Sequence, residues 1–471
     1  MIVDKISKFG KTIYDHKKKA IAAGVALIFL GRYLERNRRD ACIRAAYCRE
    51  ASKYGLQTVS PDDRPRRVSV LINVSANDRY VYDTFKTNAL PLLNLAGLEV
   101  TLIRAEDEDQ TEAVAGALDS AEADALYIVG GDGTVSRVLT GIYRNRKDAV
   151  LPVGIFPGGN ENRFLSGIVP QVFCERDDVR RYCESAMALI EGNKREVYIA
   201  RCSLVTVLDG FNDSDYHQKD IYGLSDVNAG WFLHAEMRKR KLWYWGALRR
   251  RFAYFWEMVK RYPEPMKLQI NYEEYCEGCN KCRGASLNQT PKTEKRWWHY
   301  LIGTPKYKDE SENKSKKDYS SVTNENCGKT HELQVNAKDL YIDHEQQQDS
   351  SMIRVRYGGS QSGRMDIMRD GWKRCKADAM AVTPDASFYE NDLKCRSVQF
   401  AFLSVPKIIE RFALFGDEVK LGDGAKENET SEEILNKKVK LETTDKKIVV
   451  YLPKTLRWSL DEIRNSQAEV L

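Results

Sequence analysis

Between residues 127 and 142 the chain sets three glycines around one carboxylate. The run is Tyr127-Ile128-Val129-Gly130-Gly131-Asp132-Gly133-Thr134, followed by Val135, Val138, Leu139 and Ile142 at helical spacing. This reads as a strand, a tight turn and a helix. Glycine lets the backbone approach a ligand closely. A helix N-terminus directs unpaired N–H groups and partial positive charge into the turn. Phosphate is the natural occupant, and Asp132 suits a Mg²⁺ contact or a general-base role. Taken alone, the turn has a structural reading as well, because it is neither the dinucleotide fingerprint nor a P-loop. A second glycine turn, Pro157-Gly158-Gly159-Asn160-Glu161-Asn162-Arg163-Phe164, favours a ligand. A separate constellation is Cys276-x-x-Cys279-x-x-Cys282, whose spacing brings thiolates within reach of one metal ion such as Zn²⁺. A fourth ligand would come from Cys327 or His331; reduced thiols or redox pairing is the competing reading.

The elements that must position these groups follow from periodicity. Strands are predicted at 68–73, 99–103, 126–129 and 151–156, with helices at 83–96 and 110–121 between them. That alternation predicts an α/β domain with a parallel sheet and helices on both faces. Ligands of such sheets bind at the strand carboxyl ends, where Asn73, Gly130–Thr134 and Pro157–Asn162 would share one cleft. Further strands are predicted at 197–208, 266–272, 332–341, 352–357 and 397–404. Val439/Leu441 and Ile448/Val450/Leu452 are predicted to form a hairpin about Thr443-Thr444-Asp445-Lys446. The segment 283–330 is largely polar, and 303–330 reads as a disordered loop.

At 471 residues, 42% hydrophobic and 30% charged, the chain fits a globular protein of two or more domains. A net charge of +6 gives no reason to expect a nucleic-acid partner, and eleven irregularly spaced cysteines argue against a disulfide-stapled secreted fold. The basic residues cluster beside aromatics: Arg238-Lys239-Arg240-Lys241 before Trp243, Tyr244 and Trp245; Arg249-Arg250-Arg251 before Phe252, Tyr254, Phe255 and Trp256; and Lys295-Arg296-Trp297-Trp298. Such segments suit an anionic membrane surface; the same composition also suits single-stranded nucleic acid, and a third reading puts the aromatics in the core. At the N-terminus, Ile2, Ile6, Phe9 and Ile13 share a helical face. Lys17-Lys18-Lys19, an apolar run Ala20–Leu30 and a basic exit at Arg32, Arg36, Arg38 and Arg39 follow. Eleven apolar residues are too short for a hydrocarbon core of about 30 Å. The segment 1–40 reads as a membrane-associated targeting segment, or alternatively as a first helix docked on the body.

With both glycine turns on the page, the chain resembles the diacylglycerol kinase catalytic-domain superfamily, which includes sphingosine and ceramide kinases. Gly130–Thr134 matches its G-G-D-G-T loop, and Pro157, Gly159, Asn162 and Phe164 match its second loop. Within it the chain resembles the mitochondrial acylglycerol kinases, through Leu92–Ile103, Trp243–Leu248 and the basic, apolar N-terminus. The resemblance implies an ATP-binding domain at 66–192 and a lipid-binding β-sandwich at 195–460, interrupted by 283–330. It implies phosphoryl transfer from ATP with Mg²⁺ to a lipid hydroxyl, such as that of mono- or diacylglycerol, with ceramide and sphingosine as alternative acceptors, at the mitochondrial inner membrane or intermembrane space. Asp132 would be the essential carboxylate. Gly130, Gly131, Gly133, Thr134 and Gly159 would cradle phosphate, with Asn73 and Asn162 contacting nucleotide. A cysteine cluster of similar type occurs in ceramide kinases.

The chain also departs from that pattern. Arg137 stands where Glu is frequent, Asn73-Val74-Ser75-Ala76 lacks the usual Pro and Gly, and Glu161 and Arg163 replace Gly and Asp. His234 stands where relatives carry a second-domain carboxylate, with Glu236 two residues on. Either could serve as general base. Three readings compete: a lipid kinase; a weakly active scaffold, as acylglycerol kinases also serve in the mitochondrial carrier protein-import translocase; and an NAD kinase, for which Asn160-Glu161 would contact ribose.

Overall fold

The computed structural model describes residues 17–57, 64–119, 121–145, 150–159, 162–175, 178–206, 219–260, 263–282, 319, 321–347, 350–376, 388–406, 409, 411–420, 437–459 and 462. Four apolar runs form parallel strands: β1 (Arg67–Asn73), β2 (Glu99–Ala105), β3 (Ala125–Gly130) and β4 (Val153–Pro157), ordered β2-β1-β3-β4. Successive side chains point to opposite faces, and here both faces are covered. Val70, Ile72, Tyr127 and Val129 pack beneath the helices Lys17–Gly55, Val81–Asn88 and Arg180–Glu191. Leu71, Leu126 and Ile128 pack beneath Glu108–Ala117 and Asp132–Asn145. That two-sided cover is why β3 is buried at every position. The expected single helix over 83–96 is two pieces, Val81–Asn88 and Leu90–Leu95, because Pro91 lies at the start of the second and breaks the ladder.

The helix Lys17–Gly55 runs 39 residues, about 58 Å at the standard rise. Its second half is core: Ile43, Ala46, Tyr47 and Ala51 are buried. Tyr47 donates to Glu184 Oε1 at 2.7 Å and meets Trp458 edge-on at 5.0 Å. Its first half is not: Val25, Leu27, Ile28, Phe29, Leu30, Tyr33 and Leu34 are exposed. Residues 17–40 of the expected segment 1–40 thus continue without a break into the folded body, and residues 1–16 lie outside the described residues. Among the described residues, no helix is long and apolar enough to cross a membrane.

The remaining strands are mainly antiparallel: β5 (Lys194–Thr206), β6 (Lys219–Gly223), β7 (Val227–Gly230), β8 (Met266–Glu274), β9 (Thr330–Ala337), β10 (Asp339–Gln346), β11 (Ser351–Gly358), β12 (Tyr389–Ser404), β13 (Arg411–Leu414), β14 (Asp417–Lys420) and β15 (Lys437–Tyr451). The expected strand 332–341 spans the end of β9 and the start of β10. These strands enclose their own core around Ile342, Val355, Phe400, Phe402 and Phe412. They are continuous with the parallel sheet through β15, which pairs antiparallel with β5 and β12 and parallel with β4 at Val450 and Tyr451. The expected C-terminal hairpin is therefore absent: 437–451 is one strand, opposed by β5 from Thr206 back to Lys194. Thr443–Lys446 makes a bulge, where register shifts and Thr444 Oγ1 bonds the Ile199 carbonyl. The segment lacks the Asn-Gly or Gly-rich pair that a tight hairpin turn needs, and a bulge absorbs extra residues without reversing the chain.

Candidate active site

β1, β3 and β4 end at one edge, and their last residues are tied together. The Gly130 carbonyl accepts the N–H groups of Gly158 and Gly159, both at 3.1 Å. Asn73 Nδ2 donates to Thr134 Oγ1 at 3.1 Å. Asn162 Nδ2 closes the second turn on the carbonyls of Pro157 (3.3 Å) and Gly159 (3.1 Å). The two turns therefore form one wall of a cavity of about 290 Å³, to which Asn73, Gly131, Asp132, Gly133, Thr134 and Gly159 all contribute. Gly130 and Asn162 shape that wall without lining it. Asn160 and Glu161, the pair on which the NAD kinase reading rests, lie outside the described residues.

Two of the glycines are required by packing as well. A Cβ at Gly130 would stand 2.4 Å from Thr134 Oγ1, and one at Gly133 would stand 2.1 Å from Asp417 Oδ1. Asp417 begins β14, far away in sequence. The turn between β13 and β14 lies so close that a Cβ at Gly416 would sit 2.7 Å from both Asp132 Cβ and Gly133 N. This close approach brings the second half of the chain into the cavity wall through Gly416, Asp417 and Glu418. Asp417 and Asp226 went unnoticed in the sequence because no local motif marks them.

Asp132 is the first residue of the helix Asp132–Asn145 and is buried. Its Oδ2 accepts the backbone N–H of Arg163 at 2.6 Å. Burial pushes its pKa up to about 7; the N–H of Arg163 opposes that push and the negative charge of Asp226 adds to it. The Arg163 side chain turns to Asp226, Nη1 to Oδ2 at 2.7 Å, with both residues buried. Asp226 is also bonded by Ser225 Oγ and Asn228 Nδ2. Burial likewise raises Asp417 to about 6, against the opposing charge of Arg137.

Arg137 explains itself once Asp417 is in view. Its Nε donates to Asp417 Oδ2 at 2.5 Å, while Nη2 reaches Glu108 at 3.1 Å and Nη1 lies 3.8 Å from Glu112. The guanidinium thus answers three carboxylates. On the opposite wall, Glu236 lines the cavity and accepts from Lys239 Nζ (2.8 Å), Arg250 Nε (2.6 Å) and the Tyr254 hydroxyl (2.6 Å). His234 is not among the lining residues; its Nε2 lies 3.4 Å from Glu257 Oε2, beside Arg238. Five carboxylates, Glu108, Asp132, Glu236, Asp417 and Glu418, and two cations, Arg163 and Lys239, line the cavity.

A scan for known families matches the diacylglycerol kinase catalytic domain at residues 67–202. The uncharacterized protein F52C9.3 of Caenorhabditis elegans is 42% identical over 460 residues, 98% of this chain and 99% of its own. The chain belongs to the diacylglycerol kinase superfamily. It is acylglycerol-kinase-like: mitochondrial acylglycerol kinase of Homo sapiens is 26% identical over 268 residues, 56% of this chain. The matched region spans 60% of that relative's length. A solved structure, a diacylglycerol kinase from Bacillus anthracis str. Sterne, aligns over 84% of this chain and all of its own at 10% identity and TM-score 0.43, too loose a likeness to bear on chemistry.

Two outcomes test the electrostatics. The folded protein binds the Asp132 proton more tightly than the unfolded chain, whose group has the ordinary value of 3.8. The resulting stability is fully present below 3.8 and is lost as pH rises through about 7. In chelator, the wild-type melting temperature should therefore fall more steeply than that of Asp132→Asn between about pH 4 and 7; parallel curves would show that Asp132 does not titrate there. Arg137→Glu adds a fourth carboxylate to three. It should cost about 3 kcal/mol in urea unfolding, with Asp417→Arg in the same chain recovering part of the loss. An unchanged midpoint would refute the ion-pair assignment.

Proposed function

We propose that this protein is an ATP-dependent lipid kinase that phosphorylates the hydroxyl of mono- or diacylglycerol, at a mitochondrial membrane. The observation that carries the reading is the charge of the cavity. Glycine turns at strand ends suit phosphate, yet five carboxylates face two cations. A polyphosphate fits such a wall only with divalent cations between them. Hard carboxylate oxygens are the donor set Mg²⁺ prefers, and Asp132 and Asp417 are the two residues suited to hold it. When bound, the ion would neutralise charge on the transferring phosphoryl group.

The chain's own groups would do the positioning. N–H groups of Gly131, Gly133 and Thr134 would face the nucleotide phosphates, with the Gly159 N–H holding the second turn against the Gly130 carbonyl and Asn73 and Asn162 fixing the two turns. Lys239 places its ammonium at the cavity, held there by Glu236. A loose phosphoryl-transfer transition state asks little of a base, so Glu236, already bonded by three donors, acts by holding Lys239. His234 acts by bracing Glu257. The acceptor would arrive from a surface beside this wall. Tyr244, Trp245, Leu248, Phe255, Trp256 and Val259 are exposed among exposed Lys241, Arg251 and Lys260, and Trp245 stacks on Phe252 at 3.9 Å. Aromatic and basic residues together favour an anionic interface.

A second reading, a scaffold of weak activity in the mitochondrial inner-membrane carrier translocase, is favoured by one observation: Arg137 occupies the family's frequent Glu position and is spent on an internal ion-pair network. Transfer of labelled phosphate from ATP to mono- and diacylglycerol in micelles separates the readings. Wild type should label lipid, and Asp132→Ala should do so at least about 100-fold more slowly. Equal labelling would remove Asp132 from the mechanism, labelling by neither would favour the scaffold, and labelled NAD would sink the lipid reading. On anionic vesicles, Trp245→Ala with Trp256→Ala should raise KM for lipid and leave KM for ATP unchanged; an unchanged lipid KM would exclude the aromatic face from docking.

A further inference from the structure

Four thiols converge at one end of the β8–β9 pair. Cys276, Cys279 and Cys282 lie on the chain leaving β8, and Cys327 lies just before β9. Their Sγ atoms all fall within 4.8 Å of one another. Cys279 and Cys282 are 3.6 Å apart at sulfur, and Cys282 and Cys276 are 3.9 Å apart. Thiolates about 2.3 Å from a tetrahedral Zn²⁺ stand about 3.8 Å from each other, whereas a disulfide needs about 2.05 Å. All eleven cysteines are free thiols. The spacing is that of ligands around a shared centre.

The surroundings fit the same description. The Cys279 N–H donates to Cys282 Sγ at 3.3 Å, and Asn324 Nδ2 donates to Cys276 Sγ at 3.5 Å. N–H donors to sulfur orient metal-binding thiolates and spread their charge. Cys279 is fully buried. The alternative fourth ligand, His331, is not part of the cluster: its ring stacks on Tyr272 at 5.4 Å, and its Nε2, 3.8 Å from Glu274, makes no hydrogen bond.

We propose that Cys276, Cys279, Cys282 and Cys327 bind one Zn²⁺ in a closed, structural tetrathiolate site. Four protein ligands leave no position for water or substrate, and none of the four cysteines lines the cavity of the candidate active site. The site's work is to fasten the sheet. β8 and β9 pair from Met266 opposite Ala337 to Glu273 opposite Thr330. The chain between them, from Glu274 to Lys329, would otherwise have to be closed by the strand pairing alone. A metal joining 276–282 to 327 supplies that closure where the ladder ends, and closing a long loop is where such a clip stabilises most.

The test uses the full chain purified under reducing conditions without added metal, and its readout is independent of kinase activity. Elemental analysis should find about one zinc per chain. A chelator should remove it and expose four additional thiols to a thiol reagent. Co²⁺ exchanged into the site should give the visible absorption of a tetrahedral tetrathiolate centre. Cys279→Ser and Cys327→Ser should each lower zinc about tenfold, and His331→Ala should retain it. Zinc below about a tenth per chain in wild type, with no uptake on titration, would overturn the proposal without recourse to a variant. Full zinc in Cys327→Ser, or its loss in His331→Ala alone, would overturn the ligand assignment.

Discussion

The contact between Gly416 and the Asp132–Gly133 peptide sets the terms for everything at the active-site edge. With a hypothetical Cβ only 2.7 Å from Gly133 N, no side chain is admissible at 416, and Gly133 is under the same constraint from Asp417. Two glycines from opposite halves of the chain thus allow backbone to lie against backbone. Asp417 enters the cavity as a result, Arg137 is needed to meet it, and the helix Asp132–Asn145 is pinned at its first turn. Glycine here gives up local stability for closeness that no other residue permits.

The buried charges show what that closeness demands. Asp132 loses water and keeps backbone donors, the Arg163 N–H foremost. The Arg163 side chain is committed to Asp226, so backbone and side chain of one residue serve two carboxylates. This leaves Asp132 poised between its protonated and ionised forms near neutrality. A group so poised is sensitive to any cation that approaches it, which is the electrostatic condition a nucleotide-and-metal site requires. Asp417, packed against Gly133, repeats the theme with Arg137 as its counter-charge.

What the sequence made legible was local. The parallel strands, their order of appearance and both glycine turns could be read from apolar runs and turn residues, because each signal lies within about twenty residues. Asn73 and Thr134 could be placed in one cleft by the rule of strand ends, and their hydrogen bond bears that out. Asp226 and Asp417 were not legible: each reaches the site through sheet pairing that no periodicity encodes. Thr443–Lys446 was misread because polar residues between two alternating runs look alike whether the chain reverses or bulges; only the partner strand β5 decides it. The thiol cluster was half legible. Three ligands follow from spacing, but choosing Cys327 over His331 depended on the pairing of β8 with β9, which stacks His331 against Tyr272.

β15 has a consequence for how the molecule is made. It is the last long strand among the described residues, yet it pairs with the β4 edge of the parallel sheet at Val450 and Tyr451 and backs β5 for its whole length. During synthesis the N-terminal half therefore emerges with an unpaired sheet edge, and must wait for residues 437–451 before that edge is covered. Contacts so distant in sequence form slowly, and open edges invite mispairing with other chains. The sheet edge is thus left open for the time needed to synthesise everything between β4 and β15.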